Sequence, residues 1–321
     1  MRLCRFRRAG QNQAALYDES RIVPLTTGAK AYADATHEKL AIRETDDLLA
    51  FLPPEGASFG NVKKLAAWIG RNPGELPPGA AVATDKVELL VPIPRPNKLF
   101  LLAGNYAEHI QEGGGDAPAR LETFPYVFMK PPSTTLTDPG KPVTLPSVSP
   151  DHIDWELELA VVIGRRAKYV KESDALDFVA GYTVINDISN RRFRPNPNRT
   201  TRDKDRFFDW LHGKWFDSFC PCGPCITSAD EITDPQSLKM KLSLNGNVKQ
   251  DASTAQQIFP VAAVIEFISN LVTLEPGDII STGTPSGVGN ATQTFLRPGD
   301  RIEAHIASIG TIVSSVRSET G

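Results

Sequence analysis

Apolar residues fall in short runs along most of this chain, and the texture of those runs changes near residue 90. Before that point, strand-like runs at Ala14 to Tyr17 and Arg21 to Pro24 precede predicted helices at Thr45 to Phe51 and Val62 to Arg71. In the second helix Leu65, Trp68 and Ile69 fall on one apolar stripe. Pro- and Gly-rich punctuation at Arg71 to Ala80 and Pro92 to Pro96 reads as a linker. Beyond it, Lys98 to Ala103, Tyr126 to Lys130, Leu157 to Ile163, Ala180 to Ile185, Met240 to Leu244, Asp278 to Ser281 and Arg301 to Ile306 are short apolar or alternating runs with strand character. Asn245-Gly246 favours a tight hairpin, and Val261 to Leu271 repeats its apolar positions at helical spacing. The pattern predicts an α+β protein: a small N-terminal domain over residues 1–90, then a strand-dominated domain over residues 91–321.

One run breaks the pattern. Asp154-Trp-Glu-Leu-Glu-Leu-Ala-Val-Val-Ile-Gly164 places Glu156 and Glu158 two residues apart where a half-buried strand should carry apolar side chains. Two like charges on one strand face resist burial unless a cation sits between them. Asp187 ends another strand-like run about thirty residues later, so a neighbouring strand can bring a third carboxylate to the same place. Three oxygen ligands plus water suit Mg²⁺ or Mn²⁺ rather than a soft metal. Spacing alone is equally compatible with a solvated strand face and an aspartate that caps a loop.

Composition narrows the classes. The 321 residues are 40% hydrophobic and 23% charged, enough for a sizeable core, and the formal charge of -3 gives no overall attraction to nucleic acid. No apolar run is long enough to cross a bilayer, and the basic start lacks a secretory signal, so a cytoplasmic protein with no membrane partner is expected. Residues 191–206 carry seven basic side chains against Asp203 and Asp205; they read either as a solvated loop or as a rim that attracts an anionic small molecule. Cys220, Cys222 and Cys225 cluster, but no second pair of ligands completes a zinc site, and reduced thiols are expected. Thr282-Gly-Thr-Pro-Ser-Gly-Val-Gly289 lacks the Lys-Ser/Thr ending of a phosphate-binding loop and reads as a tight turn facing substrate.

Taken in order, several segments resemble the fumarylacetoacetate hydrolase family: Gly104 to Glu112, Phe128 to Ser133, Asp154 to Gly164, Gly181 to Arg191, Gly213 to Asp217, Leu244 to Gly246 and Thr282 to Gly289. The resemblance implies a mixed β-sandwich roll as the catalytic domain, and a homodimer. It implies that Glu156, Glu158 and Asp187 bind Mg²⁺, with Mn²⁺ or Ca²⁺ as substitutes. His109 and Glu112 match the family's His-x-x-Glu dyad, carried on a lid that activates water, although on its own such a pair is also an ordinary feature of a surface helix. Lys214 matches the lysine beside the metal, and Thr284 the threonine that contacts a substrate carboxylate. Tyr106, Arg191 and Gly283 complete the expected substrate contacts.

The implied chemistry is metal-dependent hydrolysis of the carbon-carbon bond of an acylpyruvate-like 2,4-dioxo acid to pyruvate and a carboxylic acid. An isomerase, decarboxylase or hydratase of a 2-oxo-dioic acid from aromatic catabolism, or a non-catalytic metal-binding relative, are the alternatives. The sequence also departs from the family text. After Asn186-Asp187-Ile188-Ser189 the usual Ala-Arg-Asp-x-Gln reads Asn190, Arg191, Arg192, Phe193 and Arg194, an acid and an amide having become arginines, and the stretch to Trp210 is longer and more basic, which points to a second carboxylate or a polar chain in the distal pocket.

Overall fold

The computed structural model of the protein describes residues 1–319. The α+β expectation holds, with two sheets packed face to face and the helices Leu25–Thr36 and Phe59–Arg71 on the outer side of the larger one. The large sheet has twelve strands. Its order along the main path is Val82–Ala83, Arg21–Pro24, Gln11–Tyr17, Arg2–Arg8, Cys220–Ser228, Val179–Asn186, Leu157–Ile163, Ile279–Ser281, Leu99–Ala103 and Tyr126–Met129. The second sheet has five strands, ordered Asn247–Ser253, Lys239–Leu244, Arg301–Ile306, Gly310–Ser318 and Val143–Leu145.

Leu157–Ile163 lies near the middle of the large sheet, and period-two alternation sends its residues into two different cores. Leu157, Leu159, Val161 and Ile163 join Met240, Leu242, Ile302, Ala304 and Ile306 between the sheets. Ala160 and Val162 join Val62, Leu65, Trp68 and Ile69 of the Phe59–Arg71 helix on the other side. Every residue of this strand is buried, where a half-buried strand was expected. Both faces are covered because the sheet is a middle layer, so the run reads as continuously apolar rather than alternating.

The N-terminal hairpin is part of this layer. Arg2–Arg8 pairs antiparallel with Cys220–Ser228, Arg2 opposite Thr227 and Leu3 opposite Ile226, and Glu88–Leu90 pairs back onto Arg2–Arg8. Arg5, in the middle of that strand, is buried by bonding Asp46 at 2.6 Å and the Val91 carbonyl at 2.7 Å. The run expected to be helical at Thr45 to Phe51 shortens to one 3₁₀ turn, Leu48–Phe51, with the Asp47 carboxylate accepting the Leu49 N–H. The strand Cys220–Ser228 and the helices Leu25–Thr36 and Asp205–His212 lie where no element was expected. Two prolines and a glycine inside Cys220–Ser228 mask its strand character, since both residues are depleted in strands.

Candidate metal centre

Backbone pairing brings the acids together. Leu157–Ile163 and Val179–Asn186 are antiparallel with Leu157 opposite Asn186, and one step further the Asp187 N–H donates to the Glu156 carbonyl at 2.8 Å. Glu156 and Glu158 project to one side, and Asp187 meets them from the next strand. One carboxylate oxygen from each lies within 4.8 Å of the others, and all three residues are buried.

Each carboxylate is held in place. Glu156 accepts Lys214 Nζ at 2.6 Å and Arg191 Nη2 at 2.5 Å. Asp187 accepts Lys214 Nζ at 2.7 Å through one oxygen and Lys130 Nζ at 2.5 Å through the other. Glu158 accepts the Ser281 hydroxyl at 2.5 Å and the Gly283 N–H at 3.1 Å through Oε2. Its Oε1 is buried with no hydrogen-bond partner among the described residues. A buried, unpartnered carboxylate oxygen is costly in a folded protein, and a cation is one group that satisfies it. Carboxylate oxygens have two acceptor sites each, so those already bonded to Lys214 retain capacity. The donor set is therefore hard, compact and of a size that fits a divalent cation held by Glu156, Glu158 and Asp187.

The electrostatics divide the three acids. Burial and the neighbouring charges of Asp187 and Glu156 push the Glu158 carboxyl well above the usual range. Burial would also raise Glu156, but Arg191 and Lys214 override it and hold that carboxyl low. Asp154, bonded to Arg191 Nε at 2.6 Å, rises to about 6 because burial outweighs its guanidinium partner. Lys214 is deeply buried, yet Asp187 and Glu156 hold its pKa above normal, so it remains a fixed positive charge.

Short-range geometry explains why Lys214 follows a glycine. The Asn190 N–H donates to the Gly213 carbonyl at 2.9 Å, and a Cβ on Gly213 would lie 2.4 Å from the Asn190 carbonyl oxygen. Only glycine permits that approach. At the opposite side of the cluster Gly283 has φ of 87°, and a Cβ there would lie 2.9 Å from Asn105 Cβ. That conformation aims the Gly283 N–H at Glu158.

Above the carboxylates stands a six-residue helix, Ala107–Glu112. His109 Nδ1 meets Glu112 Oε1 at 2.8 Å, and Glu112 Oε2 accepts the Gly287 N–H at 2.9 Å. His109 lies near enough to Glu156 that a proton on its ring would lower that carboxyl. The helix thus lies closed against the 282–289 turn and faces the acidic cluster. Gly113 to Gly115 end it, with Gly114 at φ of 80°.

The remaining expected contacts are engaged internally. Tyr106 is buried with its hydroxyl 3.3 Å from both Met240 Sδ and Gln257 Nε2. Thr284 donates its hydroxyl to the Leu157 carbonyl at 3.0 Å and accepts Gln250 Nε2 at 2.9 Å. Arg191 is spent on Asp154 and Glu156, and the Gly283 N–H on Glu158. Ser281, which bonds Glu158, was missed, as were Lys130 and Gln250. Lys130 is fully buried and also bonds the Ile188 and Phe219 carbonyls at 3.1 and 2.6 Å. Gln250 clamps the start of the central strand, accepting the Leu157 N–H at 3.0 Å while donating to the Thr284 hydroxyl and the Pro285 carbonyl. The available signal for Lys130 was a lysine directly after the apolar Tyr126-Val-Phe-Met run; Gln250 gave none.

Comparison with known proteins places the fold in a family. Residues 98–317 match the family model described as fumarylacetoacetate (FAA) hydrolase, C-terminal. The chain is 40% identical over 234 residues to the mitochondrial oxaloacetate tautomerase FAHD2A of Bos taurus, covering 72% of this chain and 70% of the relative. Among solved structures it is similar to maleylpyruvate hydrolase from Sphingobium sp. SYK-6 in complex with manganese(II) and pyruvate, at 29% identity and a TM-score of 0.69 with both chains fully covered. A 5-carboxymethyl-2-hydroxymuconate delta-isomerase from Mycobacterium smegmatis matches at 27% identity and a TM-score of 0.69, again over both whole chains. Fold, acidic cluster and sequence together make the chain a member of the fumarylacetoacetate hydrolase family.

Proposed function

We propose that this protein is a divalent-metal-dependent hydrolase of 2,4-dioxo acids, releasing pyruvate and a carboxylic acid. The observation that carries this reading is the His109–Glu112 dyad, anchored at Gly287 and near Glu156, one of three buried carboxylates. A cation held by Glu156, Glu158 and Asp187 would supply the positive charge that stabilises an enolate developing on a bound 2-oxo acid.

The protein's own groups account for the proton movements. Glu112 accepts at His109 Nδ1, which fixes the proton there and leaves the Nε2 lone pair as the base. Gly287 anchors Glu112, so the imidazole is oriented before substrate arrives. His109 takes a proton from water, and the resulting hydroxide adds to the C4 carbonyl. The C3–C4 bond breaks, its electron pair passes into the C2–C3 enolate, and His109 returns its proton to C3, giving pyruvate and a carboxylic acid that ionises to solvent. Lys214, kept charged between Glu156 and Asp187, adds a fixed positive field at the same floor.

A second reading is keto–enol tautomerisation of an oxaloacetate-like acid, with His109 moving one proton between oxygen and carbon and no water added. It is favoured by the 40% identity to the Bos taurus oxaloacetate tautomerase. Product analysis separates the two: acetylpyruvate with Mg²⁺ should yield equimolar pyruvate and acetate, whereas oxaloacetate tautomerisation without acid release would displace the hydrolase reading. In the hydrolase reading His109→Ala lowers kcat by about 10²- to 10⁴-fold while Mg²⁺ affinity stays nearly unchanged.

A further inference from the structure

A cavity of about 830 Å³ opens beside the acidic cluster and is walled by the 191–206 segment and the Asp205–His212 helix. Three of its lining residues also touch the cluster. Arg191 bonds Asp154 and Glu156. The Trp210 ring lies 5.7 Å from Lys214 Nζ, and the Asn290 N–H donates to Asp154 at 2.8 Å. The cavity is therefore the space that continues outward from the carboxylates.

Five arginines line it, and their partners differ. Arg191 is neutralised by Asp154 and Glu156, and Arg199 by Asp205 at 2.8 Å and Asp209 at 2.5 Å. Those two aspartates are the only acids in the lining, and both are consumed. Among the described residues Arg192 meets no carboxylate, its guanidinium contacting His152 and Gln293. Arg194 and Arg206 have no carboxylate partner among the described residues, where ion pairs are otherwise common. Three uncompensated guanidiniums around one cavity create a positive potential matched to a carboxylate, which a guanidinium fork binds bidentately.

We propose that this cavity is a second anion subsite, in which Arg194 and Arg206 hold the far carboxylate of a 2-oxo-dioic acid whose 2-oxo-acid end lies at the acidic cluster. The inference rests on the proposed 2-oxo-acid reading and narrows its substrate class. Arg191 serves as the fixed partition between the two ends, because it lines the cavity while bonded to Glu156.

The test is calorimetric binding to the full chain with saturating Mg²⁺, using saturated 2-oxo-dioic acids of four to seven carbons, each against the 2-oxo monoacid of equal length. Wild type should bind the best diacid about tenfold or more tighter than its monoacid, with the advantage shrinking at high salt. In the Arg194→Gln/Arg206→Gln double variant the diacid advantage should fall to about twofold or less while monoacid affinity holds, which also shows that the cluster is intact. Equal affinity for diacid and monoacid at every length overturns the subsite alone. An advantage that survives in the double variant removes Arg194 and Arg206 from it. Failure of every 2-oxo acid to bind would sink the functional reading, and the subsite with it.

Discussion

The acidic cluster and the arginine-rich segment outside it solve opposite electrostatic problems. In the cluster, Glu156, Glu158, Asp187 and Asp154 face Lys130, Lys214 and Arg191, and nearly every oxygen has a partner within 3.1 Å. Burial makes each of those contacts expensive to lose. In the 191–206 segment, Arg192, Arg194 and Arg206 are exposed and lack carboxylate partners among the described residues, so losing any of them costs little structure. The contrast separates roles. Groups that define the chemistry are locked by the sheet, and groups that choose the substrate sit on a segment that can vary without unfolding the protein.

The sharpest way to break this contrast is to open the cluster. Lys130→Ala leaves an Asp187 oxygen and two buried carbonyls without their shared donor. Chemical denaturation should show a loss of about 3–5 kcal/mol, and a loss below 1 kcal/mol would mean that the cluster is not rigidly interlocked. A milder probe removes an orienting group. Ser281→Ala deletes the hydroxyl bonded to Glu158 at 2.5 Å and should weaken Mg²⁺ binding by about 10- to 100-fold with little change in melting temperature. Unchanged metal affinity would count against Glu158 as a ligand.

The smallest effect belongs to the outer segment. Asp205 is lowered to about 2 by its bonds to Arg199 and the Arg202 backbone N–H. Because the folded pKa lies below the unfolded one, this contribution is complete above about pH 4 and disappears as pH falls through 2. Trp210 fluorescence should therefore change in that acid window. In Arg199→Gln the change should move to higher pH, and an identical profile in both proteins would show that Arg199 does not hold Asp205.

Much of the site was readable before any coordinates, because strand periodicity converts directly into geometry. Residues two apart share a face, so Glu156 and Glu158 had to converge if the run was a strand, and antiparallel pairing then supplied Asp187. The His109–Glu112 dyad came from the family resemblance; helical rise makes the contact possible, but the spacing alone fits any surface helix. Other features were hidden for physical reasons. Lys130 and Gln250 reach the site from distant strands, a long-range relation that no local pattern encodes. Tyr106 and Thr284 are placed in or beside the site by sequence, but the direction of each hydroxyl depends on tertiary partners. Arg2–Arg8 was obscured by its charges, since Arg5 is buried only through partners at Asp46 and Val91.

The central strand, apolar on both sides after its two glutamates, also limits how this protein can change over time. Inserting or deleting a single residue between Glu156 and Ile163 would rotate the carboxylates by half a turn into the oily space shared with Met240 and Ile302, destroying the ion site and the interior together. New substrates must therefore be reached by rewriting loops around an immovable floor.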